Sequence, residues 1–262
     1  IAAMAENYPD TLAGHPMDAM GAEEESQVMM EMTFDGALFP ARAHIPSYAA
    51  WRWQQSMDNC YAYFRKLLQY IQWQRHPRTA PPSPYVLKNP LHLGHIDALA
   101  NAFPGATVVH CHRDPIESVP SFARLLEAGW AMTSDRYDMT EFGNASMELL
   151  AEHIEHYLYK RPAVENQINI VDVTFSDIVN DAVGLATKIY SIHGLESTPE
   201  IAKRIQDWES DNPATLHGKH EYTLEQYQLS ETQMRERFAT YYQRFINVQT
   251  QTALGHSNAG GR

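Results

Sequence analysis

Cysteine is almost absent from this chain: Cys60 and Cys111 are the only two. Two thiols cannot build a disulfide-scaffolded fold, so the expected setting is a reducing compartment, the cytoplasm. Positive charge is also scarce, with 20 Lys and Arg against 32 Asp and Glu and a formal net charge of −12. A general nucleic-acid binder needs clustered cations against the phosphate backbone, which disfavours that class and gives weight to the few places where basic residues gather. No apolar run reaches membrane-spanning length and no secretory segment is evident. The chain begins at Ile1 rather than at methionine, so a missing N-terminal portion is expected. Glycine is thin in the first third, where Gly14, Gly21 and Gly36 stand singly, and no glycine-rich phosphate loop can be placed between Ile1 and Pro84. No repeat period is evident.

With 262 residues and 44% hydrophobic content, the chain can bury one large core. Its most informative stretch runs from Tyr85 to Ser121. Tyr85 to Lys88 is a short apolar run after a proline cluster, which predicts a strand ending in a cation. Leu91, Ile96, Leu99, Ala100 and Phe103 follow Pro90 at roughly helical spacing, and Phe103-Pro104-Gly105 closes that helix. Thr107 to Val109 are β-branched and lead through His110-Cys111-His112 to Arg113, a second strand ending in a cation. The unit is therefore a βαβ crossover, whose parallel strands end at one sheet edge.

Ligands of open α/β sheets bind at that edge, so Lys88 and Arg113 are expected to converge on one crevice. Asp114-Pro115-Ile116-Glu117 follows, with Asp to cap a helix, Pro for its first position and Glu to complete the box. Pro120 is awkward inside such a helix and suggests a start nearer Ser118. A helix N-terminus, an arginine fork and the hydroxyls of Ser118 and Ser121 make an anion the natural guest.

The order strand-Lys-x-Pro-x-His, helix, Phe-Pro-Gly-Ala, strand, Arg-Asp-Pro and a Ser eight positions after the Arg resembles the PAPS-dependent sulfotransferases, especially their bacterial branch. The resemblance implies an α/β fold with a three-layer, P-loop-NTPase-like parallel sheet flanked by helices, with extra helices, as one domain over residues 1–262. It implies 3′-phosphoadenosine-5′-phosphosulfate (PAPS) as sulfuryl donor, with Arg113 and Ser121 on its 3′-phosphate and Lys88 near the transferred group. The base for the acceptor hydroxyl falls on His92, although cytosolic animal enzymes place that histidine two residues after the lysine, which keeps His95 in play. The family also holds the 5′-phosphosulfate in a glycine-rich loop, and its absence here suggests an N-terminally truncated fragment.

Elsewhere the signals are local. Glu23-Glu24-Glu25 predicts the acidic first turn of a helix, more simply a solvated start than an acceptor-facing carboxylate, and His15-Pro16-Met17-Asp18 is similar to a bacterial-branch segment. Trp51, Trp53, Tyr61, Phe64, Leu67, Leu68 and Ile71 form a stripe that reads as core. Helices are expected from Phe122 to Gly129 and from Met147 to Leu158, with a loop from Trp130 to Thr140 between them. Ile168 to Val173 reads as a third strand, and after it Phe175 resembles the family aromatic near the adenine. A helix to His193-Gly194 follows. His217 to Tyr222 is similar to the basic turn that closes over the 3′-phosphate, which makes Lys219 a candidate against the plainer reading of a solvated lysine.

Two other classes compete. His110-x-His112 alternates onto one strand face with His92, His95 and Asp114 nearby, so a His-ligated metal hydrolase is conceivable, although a satisfied buried histidine explains such a pair more simply. A non-catalytic nucleotide-binding protein of the same fold is the other. The acceptor stays open among sugars, lipids, phenols and small alcohols.

Overall fold

The computed structural model describes residues 27–35, 38–75, 84–213 and 222–247. A short helix, Leu38–Arg42, leads to α1 (Pro46–Trp53) and α2 (Asp58–Arg75). The expected single stripe is thus split between two helices, because the Ser56 hydroxyl accepts the Asp58 N–H at 3.1 Å and starts a new helix there. On α2, Cys60, Tyr61, Phe64 and Leu68 are buried at helical spacing, whereas Trp51 on α1 is 45% exposed and is not core.

A 3-10 segment, Pro90–His95, precedes α3 (Ile96–Ala102). Asn89 caps it by accepting the Leu91 N–H at 2.9 Å, so the expected helix begins in the tighter form and becomes α-helical only at Ile96. Gly105 then turns the chain at φ 79°, a left-handed conformation that glycine adopts without strain. β1 (Thr107–His112) is followed by α4 (Pro115–Thr133), α5 (Met139–Val164) and β2 (Asn169–Thr174). The two strands pair in parallel with His112 opposite Thr174, giving the α/β class.

The expected strand Tyr85–Lys88 does not form: only Lys88 makes a bridge, and Val86 is 94% exposed. Apolar composition supplies strand propensity, but a strand also needs a neighbour along its whole length, which composition cannot provide. Helix α4 starts at Pro115, not near Ser118, and carries Pro120 buried inside it. It also runs past Gly129, burying Trp130 against Phe142 of α5 at 4.9 Å between ring centroids. After β2 come α6 (Phe175–Asn180) and α7 (Ala182–Ile192), divided where Asp181 caps the second by accepting the Gly184 N–H. Helix α8 (Pro199–Asp211), a 3-10 turn Glu225–Tyr227 and α9 (Glu231–Arg237) complete the order up to the last described turns. No helix among the described residues is long and apolar enough to cross a membrane.

Helix α5 meets the Glu225–Tyr227 turn so closely that a Cβ on Gly143 would lie 1.9 Å from the Tyr227 carbonyl oxygen. Gly143→Ala is therefore expected to cost about 1–3 kcal/mol through overpacking, measured as a lower thermal midpoint. An unchanged midpoint would mean that the turn separates from α5 without penalty.

Candidate functional site

Parallel pairing brings the carboxyl ends of β1 and β2 together, and the next residues of each strand, Arg113 and Phe175, meet there. The Arg113 guanidinium carbon lies 4.6 Å from the Phe175 ring centroid, and the ring is 47% exposed. Arg113 Nε also donates to Glu117 Oε2 at 3.0 Å, an exposed pair that holds the arginine only weakly. Glu117 thus serves Arg113 instead of completing the capping box. Asp114 is the cap of α4, accepting the Ile116 N–H at 2.9 Å, with Pro115 at the first position. Ser118 Oγ donates to the Asp114 carbonyl at 2.8 Å, and Ser121 lies half-buried one turn further on. An arginine fork, an exposed aromatic face and the amide end of a 19-residue helix therefore share one sheet edge, which suits a ligand carrying both an anion and a flat ring.

Lys88 is exposed at the entrance to the 3-10 segment that holds both candidate histidines. His92 is half-buried, and its Nδ1 lies 2.7 Å from the Tyr61 hydroxyl of α2. Burial pushes the His92 imidazole down to about 4, so the ring is neutral at neutral pH. His95 is 5% exposed, and its Nε2 accepts from Arg52 Nη2 at 2.7 Å. Burial, then the Arg52 charge, pushes His95 far below the ordinary histidine range. The two rings thus have different tasks: His95 satisfies a buried guanidinium, and His92 is the more accessible. Spacing alone could not separate them, since Tyr61 and Arg52 lie 31 and 43 residues away.

Behind the sheet edge lies a polar network that the sequence reading did not anticipate. Arg161 of α5 donates to both Asp172 oxygens, at 2.8 and 2.7 Å, and His112 Nε2 lies 2.9 Å from Asp172 Oδ1. Burial opposes ionisation of Asp172, but the bonds from His112 and Arg161 outweigh it and hold the carboxyl well below its usual range. An ionised carboxylate only accepts, so His112 donates to it from Nε2, while its Nδ1 lies 3.1 Å from the Tyr241 hydroxyl. His110, His112 and Asp172 have ligand atoms within 4.8 Å of one another, as a metal site would require. Arg161 already holds both carboxylate oxygens, however, so a dication there would have to displace a guanidinium. The visible sequence signal for this cluster is the alternation of His110 and His112.

Lys219 with its basic turn, Glu23 to Glu25, and the segment from His15 to Asp18 fall outside the described residues. Among the described residues no glycine-rich loop joins a strand to a helix.

The sequence profile described as the sulfotransferase family matches residues 2–200. Over 143 residues the chain is 22% identical to the omega-hydroxy-beta-dihydromenaquinone-9 sulfotransferase Stf3 of Mycobacterium tuberculosis (strain CDC 1551 / Oshkosh), and equally to that of Mycobacterium bovis. Those matches cover 54% of this chain and 36% of each relative, so the chain spans little more than a third of their length. Among solved structures, sulfotransferase STF9 from Mycobacterium avium superposes with a TM-score of 0.73 at 24% identity, covering 93% of this chain and 66% of that one. Sulfotransferase STF1 from Mycobacterium tuberculosis H37Rv gives 0.69 at 26% identity, with 91% and 62% covered.

Proposed function

The chain belongs to the sulfotransferase family, and from that premise we propose that it moves a sulfuryl group from PAPS to an acceptor hydroxyl by in-line transfer. The observation that carries this reading is the meeting of Arg113 and Phe175 at the carboxyl ends of two parallel strands, beside the amide end of α4. In this reading Arg113 and Ser121 hold the donor's 3′-phosphate, Phe175 lies against the adenine, and Lys219 closes over the phosphate. The domain is taken as one unit with the three-layer, P-loop-like sheet of its family.

His92 takes the proton of the acceptor hydroxyl as that oxygen bonds to sulfur. The bond from sulfur to the bridging phosphate oxygen breaks, and 3′-phosphoadenosine 5′-phosphate (PAP) leaves with the electron pair. Lys88 stabilises the charge that grows on that oxygen, an interaction stronger in the transition state than before it. No covalent enzyme intermediate is needed when both oxygens are held on opposite sides of sulfur, so positioning carries most of the catalysis. The acceptor is a small molecule, a sugar or a lipid, and the relative named for a hydroxylated dihydromenaquinone favours a lipid alcohol. Free Cys60 and Cys111 fit a cytoplasmic setting.

Arg113→Ala is expected to weaken PAP binding by about 1.5–3 kcal/mol, the usual value of hydrogen bonds to a charged group. Calorimetry of full-length wild-type and variant protein checks this, and unchanged affinity in a folded variant would remove Arg113 from the site. The second reading is a nucleotide-binding protein of the same fold without turnover, since one fold hosts both binding and catalysis. PAP binding by full-length protein that never releases PAP from PAPS, across lipid, sugar and phenol acceptors, would select that reading.

A further inference from the structure

The last described segment, beyond the residues that match the family, folds back on the turn that carries Arg113. Ala239–Tyr241 makes one helical turn and Tyr242–Ile246 continues as a π-helical turn. Such turns are rare and recur at functional sites, where they offset side chains from regular helical positions. Here two consecutive tyrosines reach the same strand-to-helix junction from one short segment. The Tyr241 hydroxyl lies 3.1 Å from His112 Nδ1, and the Tyr242 hydroxyl donates to Asp114 Oδ1, the oxygen that also accepts the Ile116 N–H. Phe245 stacks on His112 with 4.1 Å between ring centroids.

All three side chains are buried, with Tyr241, Tyr242 and Phe245 at 4%, 5% and 7% exposure. Burial raises both hydroxyls above their ordinary value, so each keeps its proton and stays a donor. The residues on either side of Arg113 are therefore gripped from outside the βαβ unit, His112 by one tyrosine and Asp114 by the next. His112 is fixed from behind as well, through Asp172 and Arg161.

We infer that the Tyr242–Ile246 turn is a positioning device for the donor's 3′-phosphate, with Tyr242 as its positioning residue. The hydrogen bond to Asp114 sets how the first turn of α4 leaves β1, and so the direction in which Arg113 and the helix amides meet the phosphate. Asp114 can cap α4 without Tyr242, since the Ile116 N–H bond is independent of it. Removing the hydroxyl should thus leave the helix formed but its end loosely aimed, and small misplacements of a binding group carry large costs. This inference rests on the donor reading above.

The test is calorimetry of PAP on full-length protein, with Tyr242→Phe made in both the wild-type and the Arg113→Ala backgrounds. Tyr242→Phe should weaken PAP about 3- to 10-fold in the first, as expected for one hydrogen bond. In the second it should cost less than about 2-fold, because the group it aims is gone. Steady-state kinetics should raise KM for PAPS with kcat at saturating donor unchanged. If Tyr242→Phe does not fold, Asp114→Asn, which keeps a good cap but weakens the tyrosine bond, should give the same donor-specific loss. Affinity unaffected by Tyr242→Phe, or lost equally in both backgrounds, would overturn the positioning role. Wild-type protein that fails to bind PAP would instead overturn the donor reading, and this inference with it.

Discussion

Replacing His92 with alanine is expected to lower turnover by about 10²–10⁴-fold while leaving PAP affinity within about 2-fold of wild type. The acceptor hydroxyl needs a base, and His92 combines a neutral ring with a fixed orientation. Its Nδ1 is 2.7 Å from the hydroxyl of Tyr61, itself wholly buried and pushed well above its ordinary value by that burial. Tyr61 therefore stays protonated, and for His92 to act as a base its Nδ1–H donates to the Tyr61 oxygen, which leaves Nε2 to take the proton. Because His92 is pushed down to about 4, it is already unprotonated throughout the neutral range, and turnover from about pH 6.5 to 8.5 should show no limb from this group. A limb near pH 6.5 that disappears in His92→Ala would mean a more solvated ring. His95→Ala should behave differently. It strands the buried Arg52 guanidinium, so the thermal midpoint falls while turnover per folded molecule is retained. The opposite pattern, with turnover lost in His95→Ala and kept in His92→Ala, would move the base to His95.

Acidification should unfold this protein well above the range in which carboxylates titrate. His92, His95, His110 and His153 are all held below the ordinary histidine value chiefly by burial, His92 to about 4 and both His110 and His153 to about 3. Above about pH 6.5 these groups are neutral both folded and unfolded and contribute nothing to the pH dependence. As pH falls below that, the unfolded chain takes up protons that the folded chain refuses, so stability is lost progressively down towards the folded values. At pH 5 each such group costs about 2 kcal/mol, and four together rival the whole stability of an ordinary domain. Asp172, held low in the fold, loses its contribution in the same direction, but only as pH falls below the ordinary carboxylate value. Glu152, raised by burial, works the other way, and does so earlier, as pH falls from its raised folded value to the ordinary carboxylate value. Urea unfolding at pH 7.5 and pH 5 measures the sum. A midpoint that falls by more than half, or a chain already unfolded at pH 5, is the expected result, and equal midpoints would mean that these histidines accept protons in the fold.

The parts of the site that were legible in the sequence are those set by neighbours a few residues away. Asp114 and Pro115 announce the start of α4 because capping and a fixed φ act within one turn, and β-branched Thr107 to Val109 announce β1 for a similarly local reason. Tyr85 to Lys88 carried the same kind of signal and misled, since a strand is completed by its neighbours and not by its own residues. Phe175 was placed by resemblance, but its contact with Arg113 depends on the register that sets His112 opposite Thr174. The partners that separate His92 from His95 come from α1 and α2, and Tyr241 reaches His112 across 129 residues. Such long-range pairs leave no periodicity to read. The double histidine on β1 was visible, whereas the guanidinium that occupies its carboxylate partner was not.

The central claim is that the edge formed by Arg113, Phe175 and the start of α4 recognises the 3′-phosphate of the donor nucleotide. Calorimetry of full-length protein with PAP and with adenosine 5′-phosphate, which differ only in that phosphate, tests it most directly. PAP should bind at least about 10-fold more tightly, with most of that preference lost in Arg113→Ala, as a charge-assisted contact requires. Equal affinities for the two nucleotides, or a preference that survives the loss of Arg113, would contradict it.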